Sequence, residues 1–191
     1  MITTLPHPSP GLPVVMTVGH STRPLLKFIA LLQAHGVTQI VDVRTVPRSR
    51  HNPQFNQDTL PADLQAAGIS YVHQPGLGGR RKPRPDSPNT GWRNASFRGF
   101  ADDRQTPNFA VAIDTLSQQA GQHRLAVMCA EAVPWRCHRS LIADALTGRV
   151  IHVEPIRSVS HRQAQVLTLW APVAGMRLTY PVPTTAPADP T

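Results

Sequence analysis

The residues equipped for chemistry fall into four short stretches. Gly19-His20-Ser21-Thr22 offers an imidazole and two hydroxyls, and Asp42 and Arg44 stand two positions apart. His73 precedes Gly76-Leu77-Gly78-Gly79, with Arg80 and Arg81 behind it. The richest stretch is Cys129-Ala130-Glu131 followed by Pro134-Trp135-Arg136-Cys137-His138-Arg139. A cysteine before a helix N-terminus and near Arg136 and Arg139 has its thiolate favoured by positive potential, the setting of a nucleophile. The competing reading is a small buried hydrophobe, the commoner fate of an unpaired cysteine. Glu131, a carboxylate in a basic loop, serves either as a general base or as a partner for an arginine. His20 and His138 are the candidates to move protons. Arg44, Arg136 and Arg139 are the candidates to hold an anion, with Ser21, Cys137, Gly78 and Gly79 as further substrate contacts.

Other readings of these stretches are weaker. The run from Cys129 to Arg136 is one residue too long for a tyrosine-phosphatase loop and lacks its glycines. Gly76–Gly79 has neither the spacing nor the lysine of a P-loop. Cys129, Cys137 and His138 match no common zinc spacing, and one helix does not easily present all three. No metal and no cofactor are therefore expected. Asp42 sits late in an apolar strand and must find a partner. Arg44 is not its partner by simple side-chain direction, although i and i+2 share a face and a strand-end bend brings them together; the alternative is an arginine from another loop.

The elements between these stretches have to position them. Val14–Val18 is an apolar run of the kind buried on both faces of a parallel sheet. Ser21 or Thr22 then caps a helix with Pro24 in its first turn, carried by a stripe from Leu25 to Leu32 and stopped at Gly36. Gln39–Val43 reads as a second strand, Thr59–Ala67 as a helix and Ile69–Val72 as a third strand. A long polar loop spans Lys82–Gly91, and loops of that size are usually functional or disordered. Arg93–Asp103 and Asn108–Ala120 read as helices, Leu125–Met128 as the fourth strand and Trp135–Leu146 as a helix. Val150–Val153 reads as the fifth strand, with a weak extended segment near Leu178–Tyr180. This alternation predicts a single-domain α/β protein with a mostly parallel, Rossmann-like sheet and helices on both faces. All four reactive stretches follow strands, and ligands bind beyond the carboxyl ends of strands in such sheets.

The whole chain sets the remaining bounds. At 191 residues and 20.9 kDa it has the size of one domain. The pattern places that domain at residues 14–181, with Pro-rich tails at 1–13 and 182–191. No apolar run approaches the ~20 residues of a membrane span. The absence of a signal pattern and the lack of a disulfide framework point to a reducing cytoplasm. The formal charge is +8, and 17 of the 19 basic residues are arginine, which suits anionic ligands. Their even spread is equally what a coding bias would produce. Aromatics are only 5%, which weakens any base-stacking reading, although Trp92 and Trp135 lie beside arginines.

Set side by side, these stretches resemble the family catalogued as domain of unknown function 488, over about Thr17 to Pro181. The marks are Thr17-Val18-Gly19-His20-Ser21, Val41-Asp42-Val43-Arg44, Pro47-Arg48-Ser49-Arg50 and Leu77-Gly78-Gly79. The most specific mark is Cys129-Ala130-Glu131 with Pro134 and Cys137-His138-Arg139, and Arg177–Pro181 fits loosely. The Lys82–Thr90 stretch is longer and richer in proline than the pattern. The resemblance implies a Rossmann-like fold. It also implies Cys129, Glu131, Cys137, His138 and Arg139 as site residues, facing His20, Asp42 and Arg44. Two functions remain open: an enzyme acting on a phosphate-bearing substrate (a nucleotide or nucleic acid), or a module that binds nucleic acid or an acidic partner without chemistry.

Overall fold

The computed structural model describes residues 13–133, 136–162, 164, 173–174 and 177–182. Five parallel strands form the sheet: β1 (Val14–Gly19), β2 (Gln39–Asp42), β3 (Ser70–His73), β4 (Leu125–Cys129) and β5 (His152–Ser158). An antiparallel β6 (His161–Arg162) closes one edge, and the spatial order is β3-β2-β4-β1-β5-β6. Two further short strands, β7 (Val173–Ala174) and β8 (Arg177–Leu178), pair with each other.

Alternation along the central strands sends side chains into two cores, because successive residues of a strand face opposite sides. Met16, Val18, Ile40, Ala126 and Met128 meet the buried stripe of α1 (Leu25–Ala34) and the Leu60 and Leu64 side chains of α2 (Leu60–Ala66). Val15, Val41, Leu125, Val127 and Val153 meet α3 (Ala95–Asp103), α4 (Pro107–Gln122) and α5 (Arg139–Thr147). Helices therefore cover both faces, and each fully buried aliphatic side chain contributes roughly 1.5–3 kcal/mol of burial.

The connections fix where a ligand can sit. The α1 crossover leaves β1 on one face, and α5 leaves β4 on the other. β1 and β4 are direct neighbours, with Gly19 opposite Cys129 at their carboxyl ends. Adjacent strands whose connections part in this way open a crevice at their ends. The Gly19–Thr22 and Cys129–Glu131 stretches both begin there.

Most boundaries shift by a residue or two from the sequence reading, and those around β1, α5 and β5 bear on the site. Neither Ser21 nor Thr22 caps α1: Pro24 is the N-cap, and no side-chain cap bond forms. Ser21 instead adopts a left-handed φ of 52° and donates its N–H to the Ala130 carbonyl at 2.9 Å, drawing the loop across to β4. The fifth strand starts at His152, not Val150. Val150 lies in the turn that closes α5, at φ 62°. The predicted helix start at Trp135 lies outside the described residues, and α5 itself begins at Arg139. Most of both predicted tails also lies outside them. No helix among the described residues is long and apolar enough to cross a membrane.

The long polar loop is an ordered segment of the fold. Asp102, on the buried side of α3, accepts hydrogen bonds from the Arg84 N–H, the Ser87 hydroxyl and the Asn89 amide at 2.6–2.8 Å. Asn89 in turn accepts the Tyr180 N–H at 2.9 Å, which docks the strand end beyond β8 onto the same loop. Burying polar groups is tolerable here because each finds a partner. Asp102→Ala strips three donors of their acceptor, at a cost on the order of 2–3 kcal/mol. Limited proteolysis within residues 82–94 should accelerate in that variant, and an unchanged cleavage rate would show that the loop is held by something else.

Candidate active site

Two buried networks build the crevice floor. In the first, Arg44 turns back on Asp42: its Nε lies 2.9 Å and 3.1 Å from the two carboxylate oxygens, and its Nη2 lies 2.6 Å from Oδ2. The Arg44 backbone N–H also donates to Asp42, at 3.0 Å. Arg44, two positions on and on the same face of the extended chain, is thus the partner, and no arginine from another loop is needed. Tyr71 on neighbouring β3 donates its hydroxyl to Asp42 Oδ2 at 2.7 Å, and burial followed by that carboxylate's charge pushes its phenol well above the usual range. Asp42 is fully buried and does not reach the crevice. With its Nη2 bonded to both Asp42 and the Phe55 carbonyl, Arg44 is a structural cation.

His20 completes this network. Its Nε2 lies 3.2 Å from Arg44 Nη1, and a guanidinium can only donate, so Nε2 carries the lone pair. Its Nδ1–H therefore donates to the Ser21 carbonyl at 2.8 Å. The ring stacks on Phe55 at 4.1 Å between centroids. Burial, with help from the Arg44 charge and against the Ser21 bond, lowers the His20 pKa to about 4. Both ring nitrogens are engaged by the protein, which makes His20 a neutral link between the chain beyond β1 and the chain beyond β2, the strands on either side of β4.

The second network holds the sulfurs. Cys129 ends β4, and Cys137 and His138 lead into α5. His138 Nδ1 lies 4.0 Å from Cys129 Sγ and 3.8 Å from Cys137 Sγ. All three atoms lie within 4.8 Å of one another, so a strand end and a helix entrance together present what one helix could not. Arg139, only 1% exposed, donates from Nε to Cys137 Sγ at 3.3 Å and from Nη2 to the Glu131 carbonyl. Cys137 is pulled well below the usual thiol range, first by the Cys129 thiol donating to it and then by His138 and Arg139. Cys129 moves the opposite way, because it keeps the proton that the pair shares and is buried.

Two glycines make this packing possible. A Cβ at Gly19 would overlap the Glu131 carbonyl and stand 2.8 Å from Arg139 Nη2. A Cβ at Gly79 would lie 2.5–2.6 Å from the His138 ring, where that imidazole now sits. Gly78 packs against Thr45 and does not line the crevice.

Above this floor opens a cleft of about 650 Å³. His20, Ser21, Cys129, Glu131, Arg136, Cys137, His138, Gly79 and Arg44 from the sequence reading line it, while Asp42, Arg139 and Gly78 lie behind the wall. The expected anion clamp therefore changes. Arg44 and Arg139 are buried and committed, whereas Arg48, Arg80 and Arg136 line the cleft, are exposed, and form no ion pair among the described residues. Arg48 and Arg80 stand in the quoted motifs without a role, since nothing in their spacing tells an exposed arginine from a buried one. Glu131 supplies the one carboxylate among the lining residues, and its Oε1 accepts the Val133 N–H at 3.0 Å.

The arrangement is that of an α/β protein with a reactive-group cluster at the switch point of its sheet. Residues 24–146 match the family model described as Domain of unknown function DUF488, and the chain belongs to that family. Neither the curated proteins nor the solved structures yield a match.

His20 also makes stability depend on pH. Its pKa is about 4 in the fold against 6.5 for the unfolded chain, so the unfolded state binds more protons between those values. This contribution to stability is fully present above pH 6.5 and is lost as the pH falls toward 4. In urea titrations across that range, His20→Gln should show a flatter pH dependence than the wild type, and parallel curves would refute the assignment.

Proposed function

We propose that this chain is an enzyme acting on a phosphate-bearing substrate, a nucleotide or a nucleic acid segment, in the cleft at the β1–β4 switch point. One observation carries the reading: three exposed guanidiniums without ion-pair partners among the described residues line the same cleft as Cys129, Cys137 and His138. Arginine matches phosphate oxygens with a planar fork. A volume of about 650 Å³ falls within the range of small-molecule sites. The +8 charge of the chain attracts polyanions at long range. A module that only bound phosphates would have no use for two thiols and an imidazole clustered under its arginines. Glu131, on the rim, is the residue placed to accept a proton from a reacting group.

The test pairs binding with turnover. Calorimetric titration with nucleoside mono-, di- and triphosphates and a short oligonucleotide identifies the ligand, and product analysis on the same panel identifies the reaction. Each of Arg48→Ala, Arg80→Ala and Arg136→Ala should weaken binding about 10–100-fold, the value of a charge-assisted hydrogen bond. Glu131→Gln should abolish turnover while sparing affinity. Unchanged affinity in the triple arginine variant would overturn the reading. Binding without turnover of any panel member would favour the non-catalytic module instead.

A further inference from the structure

We infer that Cys129, Cys137 and His138 form a three-ligand site for a thiolate-loving divalent cation, Zn²⁺ by its chemistry, with a fourth position facing the arginine-lined cleft. The inference rests on the cleft being a reaction site and names what does the chemistry there.

A tetrahedral zinc with Zn–S near 2.3 Å and Zn–N near 2.0–2.1 Å sets its sulfur and nitrogen ligands about 3.6 Å apart and two sulfurs about 3.8 Å apart. His138 Nδ1 stands 4.0 Å from one sulfur and 3.8 Å from the other, and all three atoms fall within 4.8 Å. The two nitrogen–sulfur sides are within about half an ångström of the required ones, and the sulfur–sulfur side is no longer than 4.8 Å against the required ~3.8 Å, so side-chain rotations that draw the sulfurs together by about an ångström at most close the triangle.

The donor set also selects the metal. Two sulfurs and an imidazole suit zinc and exclude the hard, oxygen-seeking magnesium and calcium ions. Two thiolates and a neutral imidazole balance the charge of a dication, and metal binding displaces the thiol protons to solvent. Arg139 Nε donates to Cys137 Sγ from outside the triangle, the supporting contact that orients a ligand. Gly79 leaves the room in which the imidazole turns Nδ1 toward the sulfurs.

Three protein ligands with one open position are the mark of a catalytic rather than a structural zinc. All three residues line the cleft, so the open position is reached from the side where Arg48, Arg80 and Arg136 stand. A metal there polarises a phosphoryl oxygen or lowers the pKa of a bound water. Spacing along the chain argues against zinc because it fits no common site. The third ligand comes from a strand eight residues before Cys137, and no local spacing motif describes that.

The full-length protein, purified under reducing conditions without chelator, is assayed for metal by inductively coupled plasma mass spectrometry. The stripped protein is then titrated with Co²⁺, whose thiolate charge-transfer and tetrahedral ligand-field bands report the ligands directly. One equivalent of zinc, or of Co²⁺ with those bands, is expected. Cys129→Ser, Cys137→Ser and His138→Asn should each lose more Co²⁺ affinity than the roughly 10–100-fold typical of a lost supporting partner. Arg136→Ala should bind Co²⁺ as the wild type does. Circular dichroism of the stripped proteins shows whether each variant folds, and for any that does not, the wild-type band positions still decide thiolate ligation. Absence of metal together with no charge-transfer band in the reduced wild type overturns the inference, and so does isolation as a Cys129–Cys137 disulfide whose reduction restores no binding. If nucleotide binding persists in either case, the arginine reading stands alone. Metal binding with no phosphate-ester binding would leave the centre in place and remove the proposed substrate.

Discussion

Arg139 is the contact on which the rest of the site depends. Its guanidinium is almost wholly enclosed, yet it reaches the Glu131 carbonyl in the loop after β4 and the Cys137 sulfur just before its own helix. It also packs where a side chain at Gly19 would be. A buried guanidinium is tolerable only when its donors are used, because an unpartnered buried charge costs several kcal/mol. That requirement runs both ways. The loop from Ala130 to Val133 has to turn its carbonyl inward, Cys137 has to bring its sulfur to the same place, and β1 has to end in a residue without a Cβ. Ser21 adds a second tie across the same gap through the Ala130 carbonyl. Together these contacts sew the ends of β1 and β4 to the entrance of α5.

The Asp42–Arg44–Tyr71 cluster has a comparable role at the end of β2. It ties β2 to β3 through the Tyr71 hydroxyl and to β1 through His20. Charged residues at the end of a strand look like catalytic groups in a sequence. Here their charge is consumed internally, and they fix the wall of the cleft. Positive potential in the cleft comes from arginines on surrounding loops, which form no ion pair among the described residues. A division of labour results, with buried arginines shaping the site and exposed ones facing whatever enters it.

Much of this is legible in the sequence. Val14–Val18 and Leu125–Met128 are near-continuous apolar runs and Gln39–Val43 is a short β-branched one, as strands covered on both faces would be, and their alternation with helical stripes defines the α/β class. The rule that ligands bind beyond strand ends correctly gathers His20, Cys129, Glu131, Cys137 and His138 at one rim. Three features are not legible. The Asp42–Arg44 pairing joins two residues that share a face, but residue type does not say which of the neighbouring arginines turns to the carboxylate. Burial of Arg44 and Arg139 against exposure of Arg48, Arg80 and Arg136 depends on tertiary packing, to which residue type is blind. Ser21 looks like a cap because serine favours that role, but a cross-strand bond to Ala130 outweighs the local preference.

The central claim is that the Arg139 fork, through Cys137 Sγ and the Glu131 carbonyl, keeps the sulfur–imidazole cluster together. Arg139→Lys keeps the charge and removes the fork, so the reaction rates of Cys129 and Cys137 with a neutral thiol reagent isolate its effect. Both sulfurs are enclosed in the wild type, at 9% and 3% exposure, and should react slowly in the folded protein. In a variant shown to be folded by circular dichroism, the account predicts at least a tenfold rise in both rates, about 1.4 kcal/mol of lost protection. Equal rates in the two proteins would contradict it.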